Sequence, residues 1–205
     1  MKALIVLSFF VTASLGRSAV IVWANQEIAI PNSSVGVYLN PATGETHTSE
    51  SIGFSNTAVN FFFRGQAVLS TEDFLPARVG SGSLDPIRRL HPGDSVNGTL
   101  TFGPQGNGGS SGHVSTVASL DQFESGVPGY LGFQLDLNKN GQYVFGWMRV
   151  TFSSGAEEAL IHEWAYSTTP AQEIIVGVVP EPSTCLGGFL WGCLVMAFHR
   201  KRKRG

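Results

Sequence analysis

The central stretch of this chain contains no thiol, because its two cysteines, Cys185 and Cys193, both lie near the carboxy terminus. A disulfide framework, a cysteine nucleophile and a thiolate metal site are therefore excluded for residues 20–179. Basic residues are equally scarce there. Arg64, Arg78, Arg88, Arg89, Lys139 and Arg149 stand against fourteen acidic side chains, a net −8 that the overall −2 conceals. Such a surface repels nucleic-acid phosphates. Helical periodicity is missing, and so are the usual catalytic spacings. No G-x-S-x-G surrounds a serine, and His47, His91, His113 and His162 share no metal-ligand spacing. "GPQGNGGSSG" precedes neither Lys-Ser nor Lys-Thr, so it reads as a loop and not as a phosphate cradle. No catalytic residue, metal site or cofactor is expected, and the chain reads as a non-enzyme.

What is present begins at the two ends. Lys2 leads into an apolar run from Ala3 to Leu15 and then into small residues at Ser18 and Ala19. That order is a secretory signal, expected over 1–19 and read by the Sec translocon and signal peptidase. Arg17 sits awkwardly for a cut after Ala19, so Ser18 and Ala24 stay open as alternatives. At the other end, Cys185 to Phe198 carries no charge, and Arg200, Lys201, Arg202, Lys203 and Arg204 follow. A membrane helix is expected over 184–199. It is short for a hydrocarbon core about 30 Å thick, and its basic tail would act as a stop-transfer signal on the cytoplasmic side.

Pro180, Glu181 and Pro182, followed by that apolar segment and that basic cluster, resemble the PEP-CTERM sorting signal of Gram-negative bacteria. The resemblance covers residues 179–205. It implies an exosortase as partner, transient residence in the inner membrane, removal of the tail, and delivery to the cell surface or extracellular matrix. The physical logic agrees. Two prolines keep "VVPEPST" extended and accessible to an enzyme, while the basic end prevents complete translocation.

Residues 20–178 alternate short apolar segments with turn signals, which predicts an all-β, antiparallel β-sandwich, with or without jelly-roll connections. "VIVWANQEIAI", "GVYLN", "AVNFFFRGQAVLS", "VNGTLTFG", "GYLGFQLDL", "YVFGWMRVTF", "ALIHEWAYS" and "EIIVG" are the expected strands. Asn140-Gly141 predicts a tight type I′ turn joining the two central ones. Tyr130, Gly132, Phe133, Phe145, Gly146 and Trp147 also resemble a "YxGF…YGW" hairpin found near the anchor of some β-rich PEP-CTERM proteins, a group with no known activity.

Weaker signals remain inside the body. Asp136, Asn138, Asn140 and Gly141 open like a calcium loop, but Trp147 stands where its bidentate glutamate belongs, so a hairpin turn is favoured. His162 and Glu163 are expected on opposite faces of a strand. Trp23, Trp147, Trp164, Tyr130, Tyr143 and Tyr166 read as core in preference to a sugar-stacking face. Glu157 and Glu158 read as a solvated acidic patch, and the sequons at Asn32 and Asn97 read as turns. The body is expected to act structurally or by binding, with exopolysaccharide as a candidate partner. The alternatives are a carbohydrate-active enzyme or lectin on the same scaffold, and a stably anchored single-pass envelope protein.

Overall fold

The computed structural model describes residues 19–49, 58–82, 85–103, 106–108, 114–115 and 122–178. The expected leader apart from Ala19, the sorting triplet, the expected membrane helix and the basic tail lie outside them, as does His113. Among the described residues no helix is long and apolar enough to cross a membrane.

In chain order the strands are β1 (Val20–Trp23), β2 (Ile28–Ala29), β3 (Val37–Leu39), β4 (Thr46–His47), β5 (Val59–Phe62), β6 (Ala67–Ser70), β7 (Phe74–Pro76) and β8 (Arg89–Leu90). They continue as β9 (Ser95–Val96), β10 (Gly106–Gly108), β11 (Val114–Ser115), β12 (Phe123–Glu124), β13 (Pro128–Asp136), β14 (Tyr143–Thr151), β15 (Leu160–Ser167) and β16 (Ile174–Ile175). One sheet runs β1-β15-β14-β13-β7, with β2 beside β15 and β8 beside β13; the other runs β10-β6-β5-β3-β4. All pairing in both sheets is antiparallel, and only the small β11–β12 pair is parallel. The consecutive meander β13-β14-β15 differs from the interleaving of sheets in a jelly roll.

The larger sheet is apolar on both faces. Leu131, Phe133, Leu135, Met148, Val150, Ile161 and Trp164 pack in one cluster with Val37, Leu39, Val59, Phe61 and Val68 of the smaller sheet. On the opposite face Phe145, Trp147 and Ala165 pack beneath Leu90, Val96, Ile174 and Val176. The β9–β16 pair therefore acts as a lid on a sheet that already has a sandwich partner. Two-sided burial explains why "YVFGWMRVTF" reads as a nearly continuous apolar run and not as a strict alternation.

The expected hairpin is present, with Asp136 opposite Tyr143 and Pro128 opposite Thr151. Its register sets Gly132 against Trp147 and Phe133 against Gly146. A Cβ on Gly146 would lie 2.3 Å from the Phe133 ring and 2.7 Å from the Ala165 carbonyl oxygen. Gly146 leaves room for the ring of Phe133 on the facing strand, whereas a Cβ on Gly132 would meet Leu90 at 2.8 Å and Val96 at 3.3 Å, so both glycines of the "GF…GW" pattern serve packing. Phe133 also stacks on Phe74 at 4.8 Å, and Tyr130 meets Trp147 edge-on at 5.6 Å.

Several expectations are corrected. The connection from β13 to β14 is a loop of residues 137–142, not a two-residue type I′ turn, and the left-handed residues are Lys139 (φ 53°) and Gly141 (φ 76°). "AVNFFFRGQAVLS" folds back as the hairpin β5–β6 through a 3₁₀ turn at Phe63–Gly65, leaving Phe61 buried and Phe63 42% exposed. "VNGTLTFG" stops being a strand after Val96, because the Asn97 side chain accepts from the Thr99 N–H at 2.9 Å and closes a local turn. "VIVWANQEIAI" breaks between β1 and β2, where Asn25 and Glu27 are left-handed. Within the glycine-rich loop, Gly106–Gly108 pairs with β6 as an edge strand.

Gly146→Ala should destabilise the fold by about 1–3 kcal/mol through overpacking. Adding Phe133→Leu to that variant should cost less than in the wild-type background, because the smaller side chain relieves part of the clash. Urea unfolding of the four chains of this double-mutant cycle measures the coupling; strict additivity would show that the ring and the glycine do not interlock.

Candidate functional site

The hairpin loop is organised by one carboxylate. Asp136, only 8% exposed, accepts the Asn138 N–H at 3.3 Å, the Asn140 N–H at 3.2 Å and the Gly141 N–H at 2.6 Å. These bonds engage both carboxylate oxygens and fold the calcium-like sequence around Asp136, while the Asn140 side chain turns back to accept from Gln142 N–H at 3.0 Å. The favoured reading as a hairpin connection therefore has a physical account, with the loop amides occupying the oxygens a cation would need. Among the described residues no three His, Cys, Asp or Glu side chains are grouped to hold a metal ion.

Two clefts, of about 320 and 290 Å³, adjoin this loop and share Asp73, Asp136 and Lys139. The first is completed by residues such as Asn40, Thr43 and Glu45, the second by Glu72 and Tyr143. Asp73 pairs with the exposed Lys139 ammonium at 3.3 Å, and the Tyr143 hydroxyl donates to the Glu72 carbonyl at 3.0 Å. Burial, reinforced by the charges of Asp136, Glu72 and Asp73, pushes the Tyr143 hydroxyl above the usual phenol range. Asp73 and Asp136 thus share a cleft, yet one is ion-paired and the other is bound to backbone amides.

A second polar cluster was not foreseen. Between Arg149 and Val150 the β14–β15 register shifts, with Arg149 opposite Glu163 and Val150 opposite Ile161, so His162 is the extra residue of a β-bulge. The expectation that His162 and Glu163 point to opposite faces is thereby corrected. Glu163 reaches Arg149 at 3.7 Å, and His162 Nε2 lies 2.8 Å from the Thr151 hydroxyl, both partners belonging to the same face of β14. His162 Nδ1 meets the Glu27 carboxylate at 3.0 Å, and the Gln26 N–H donates to the His162 carbonyl at 2.8 Å. The left-handed Glu27 backbone brings that carboxylate across 135 residues of sequence. This chain of contacts fixes the β1–β2 connection to the sheet; Thr151 is only 6% exposed and no described cleft opens onto it.

Trp147, Trp164 and Tyr166 are buried, and Trp23 stacks on Trp164 at 5.5 Å, so these aromatics form core and not a sugar platform. His47 stacks on Tyr38 at 4.9 Å, and His91 is exposed. Glu157 and Glu158 are exposed, as expected for a solvated patch, and Glu157 is held below the usual carboxylate range by its own backbone N–H and by the Ser153 hydroxyl. The sorting residues Pro180, Glu181 and Pro182, and the basic residues Arg200, Lys201, Arg202, Lys203 and Arg204, lie outside the described residues. No protein-family model, curated protein or solved structure matches the chain.

Asp136→Ala should lower stability by about 2–3 kcal/mol, since three backbone donors lose a charged acceptor. Urea unfolding checks the loss, and added Ca²⁺ should leave the wild-type midpoint unchanged. A midpoint that rises with Ca²⁺ in the wild type and not in the variant would restore the metal reading.

Proposed function

We propose that this chain is an exported envelope protein whose β-sandwich body is released from two address segments, one at each end. The leader passes the Sec translocon and is cut by signal peptidase. The carboxy-terminal segment then holds the chain in the inner membrane until an exosortase acts near Pro180, Glu181 and Pro182. The body goes on to a structural or binding role at the cell surface or in the extracellular matrix, with exopolysaccharide as its setting.

The observation that carries the reading is the order of parts at the two ends of the sequence: Lys2 and an apolar run ahead of Ala19, and Pro180-Glu181-Pro182, an uncharged segment from Cys185 to Phe198 and the basic residues from Arg200 to Arg204 after Val178. The described strands lie between these segments, from Val20 to Ile175. The pairing of β1 bears on the candidate leader cuts. β1 pairs with Trp164–Ser167 along its whole length, and Trp23 stacks on Trp164. A cut after Ala24 would strip that strand from the sheet, which favours a cut next to Ser18 or Ala19. The engaged states of Asp73 and Asp136 favour a structural or binding role over glycan hydrolysis on this scaffold.

Intact-mass analysis of the protein recovered from cells containing an exosortase should give a mature amino terminus at Ala19 or Val20 and a carboxy terminus lacking the basic tail. Replacing Pro180, Glu181 and Pro182 together by alanine should leave the tail attached and the protein in the inner-membrane fraction. Unchanged maturation of that triple variant would overturn the sorting proposal, and retention of the tail in the wild type would favour a stably anchored protein.

A further inference from the structure

The strand that opens the larger sheet has a free outer side. β1 ends the order β1-β15-β14-β13-β7, and among the described residues no strand pairs with its other edge. No residue from Ala19 to Ala29 is buried, and Ile21 is 39% exposed. The Thr168 N–H donates to the Ala19 carbonyl at 2.8 Å, and Val20 to Trp23 pair with Ser167 to Trp164 without a shift of register. Bonded residues alternate along an antiparallel ladder, so Ala19, Ile21 and Trp23 bond to β15 while Val20 and Val22 turn their N–H and C=O groups outward.

The other described edges carry features that discourage pairing. β7, on the far side of the same sheet, contains Pro76, which has no N–H to offer. In the smaller sheet β4 is only Thr46–His47, and β10, Gly106–Gly108, has no apolar side chain beyond glycine. Left-handed Asn25 and Glu27 interrupt the edge between β1 and β2. β1 itself has none of these features. Its residues are Val20, Ile21, Val22 and Trp23, and no Asp, Glu, Lys or Arg stands between Ser18 and Gln26. An apolar, uncharged edge with free backbone groups is a template for another strand.

We propose that β1 is a self-association edge, to which a second copy of this chain adds its own β1, antiparallel, about a twofold axis through Ile21. The free groups fit that operator. With the two Ile21 residues opposite each other, Val20 of each copy faces Val22 of the other, and their outward N–H and C=O groups close reciprocal hydrogen bonds on both sides of the axis. The side chains fit it too. Val20 and Val22 pack at the rim of the layer that holds Val96 and Ile174, and Trp23 packs at the rim of the sandwich core, so the added strand extends both apolar layers. The seam is free of charge, so two acidic bodies meet where neither presents a carboxylate. The joined sheet runs from β7 of one copy to β7 of the other. This inference uses the described edge alone and stands apart from the sorting proposal.

The test uses the full-length chain in detergent micelles, with Cys185→Ser and Cys193→Ser so that any thiol is an introduced one. Sedimentation equilibrium of this parent chain should show a dimer with a Kd of about 100 µM or tighter, as suits an interface below standard size. Ile21→Lys sets two charges against each other at the axis, and Val22→Pro removes an outward N–H without touching a bond to β15. Each should weaken the dimer about tenfold or more. Ile21→Cys should give a disulfide-linked dimer on mild oxidation, because facing residues of a non-bonded pair lie about 4.5 Å apart at Cα. Ala24→Cys, exposed but displaced along the chain from the axis, should not. A parent chain that stays monomeric at about 1 mM overturns the proposal, and this result stands even if a variant fails to fold. Equal cross-linking at the two positions, or unchanged association in Ile21→Lys or Val22→Pro, overturns it as well, since the contact then lies elsewhere on the chain.

Discussion

The interlock of Phe133 with Gly146 in the β13–β14 hairpin is the constraint on which the rest of the architecture depends. It joins the two longest described strands at a single register, since a slip of one residue would carry Phe133 and Trp147 to the wrong faces. With that register set, Phe133 points into the sandwich core and Trp147 into the layer beneath β9 and β16. The smaller sheet covers one face and the short segments around Leu90, Val96 and Ile174 cover the other. A motif that invites a functional reading is thus explained by space-filling. Gly146 is required because the Phe133 ring occupies the volume its side chain would take, and Gly132 because Leu90 and Val96 do.

Polar groups in this protein serve mainly to hold irregular backbone. Asp136 binds three loop amides, Asn97 ends a strand, and the bulge at His162 ties the β1–β2 connection to β14 through Glu27 and Thr151. Each of these groups pairs with backbone or side-chain partners that the sheet ladders leave free. Arg78 departs from this pattern, with a single matched donor at full burial.

The sandwich, the antiparallel pairing and the β13–β14 hairpin were legible because they follow from alternation and from turn residues close in sequence. The turn type was misread because Asn140-Gly141 is the strongest short-range signal present, while the decisive group, Asp136, sits at the end of the incoming strand and recruits Gly141 into a wider loop. The break after Val96 was hidden for a related reason. Leu100 and Phe102 still pack on the same cluster as Val96, so the apolar alternation persists where the strand does not. The pairing of His162 with Glu27 had no local signal at all.

By itself the sequence determined the all-β class and the thiol-free acidic body, because composition and short-range periodicity encode these. Only the tertiary structure decided that the larger sheet is covered on both faces, that a one-residue bulge sets His162 and Glu163 on the same side, and that Arg78 lies buried with Nε and Nη2 unmatched among the described residues. Those features arise from register and from contacts between residues far apart in the chain. No window of local sequence contains that information.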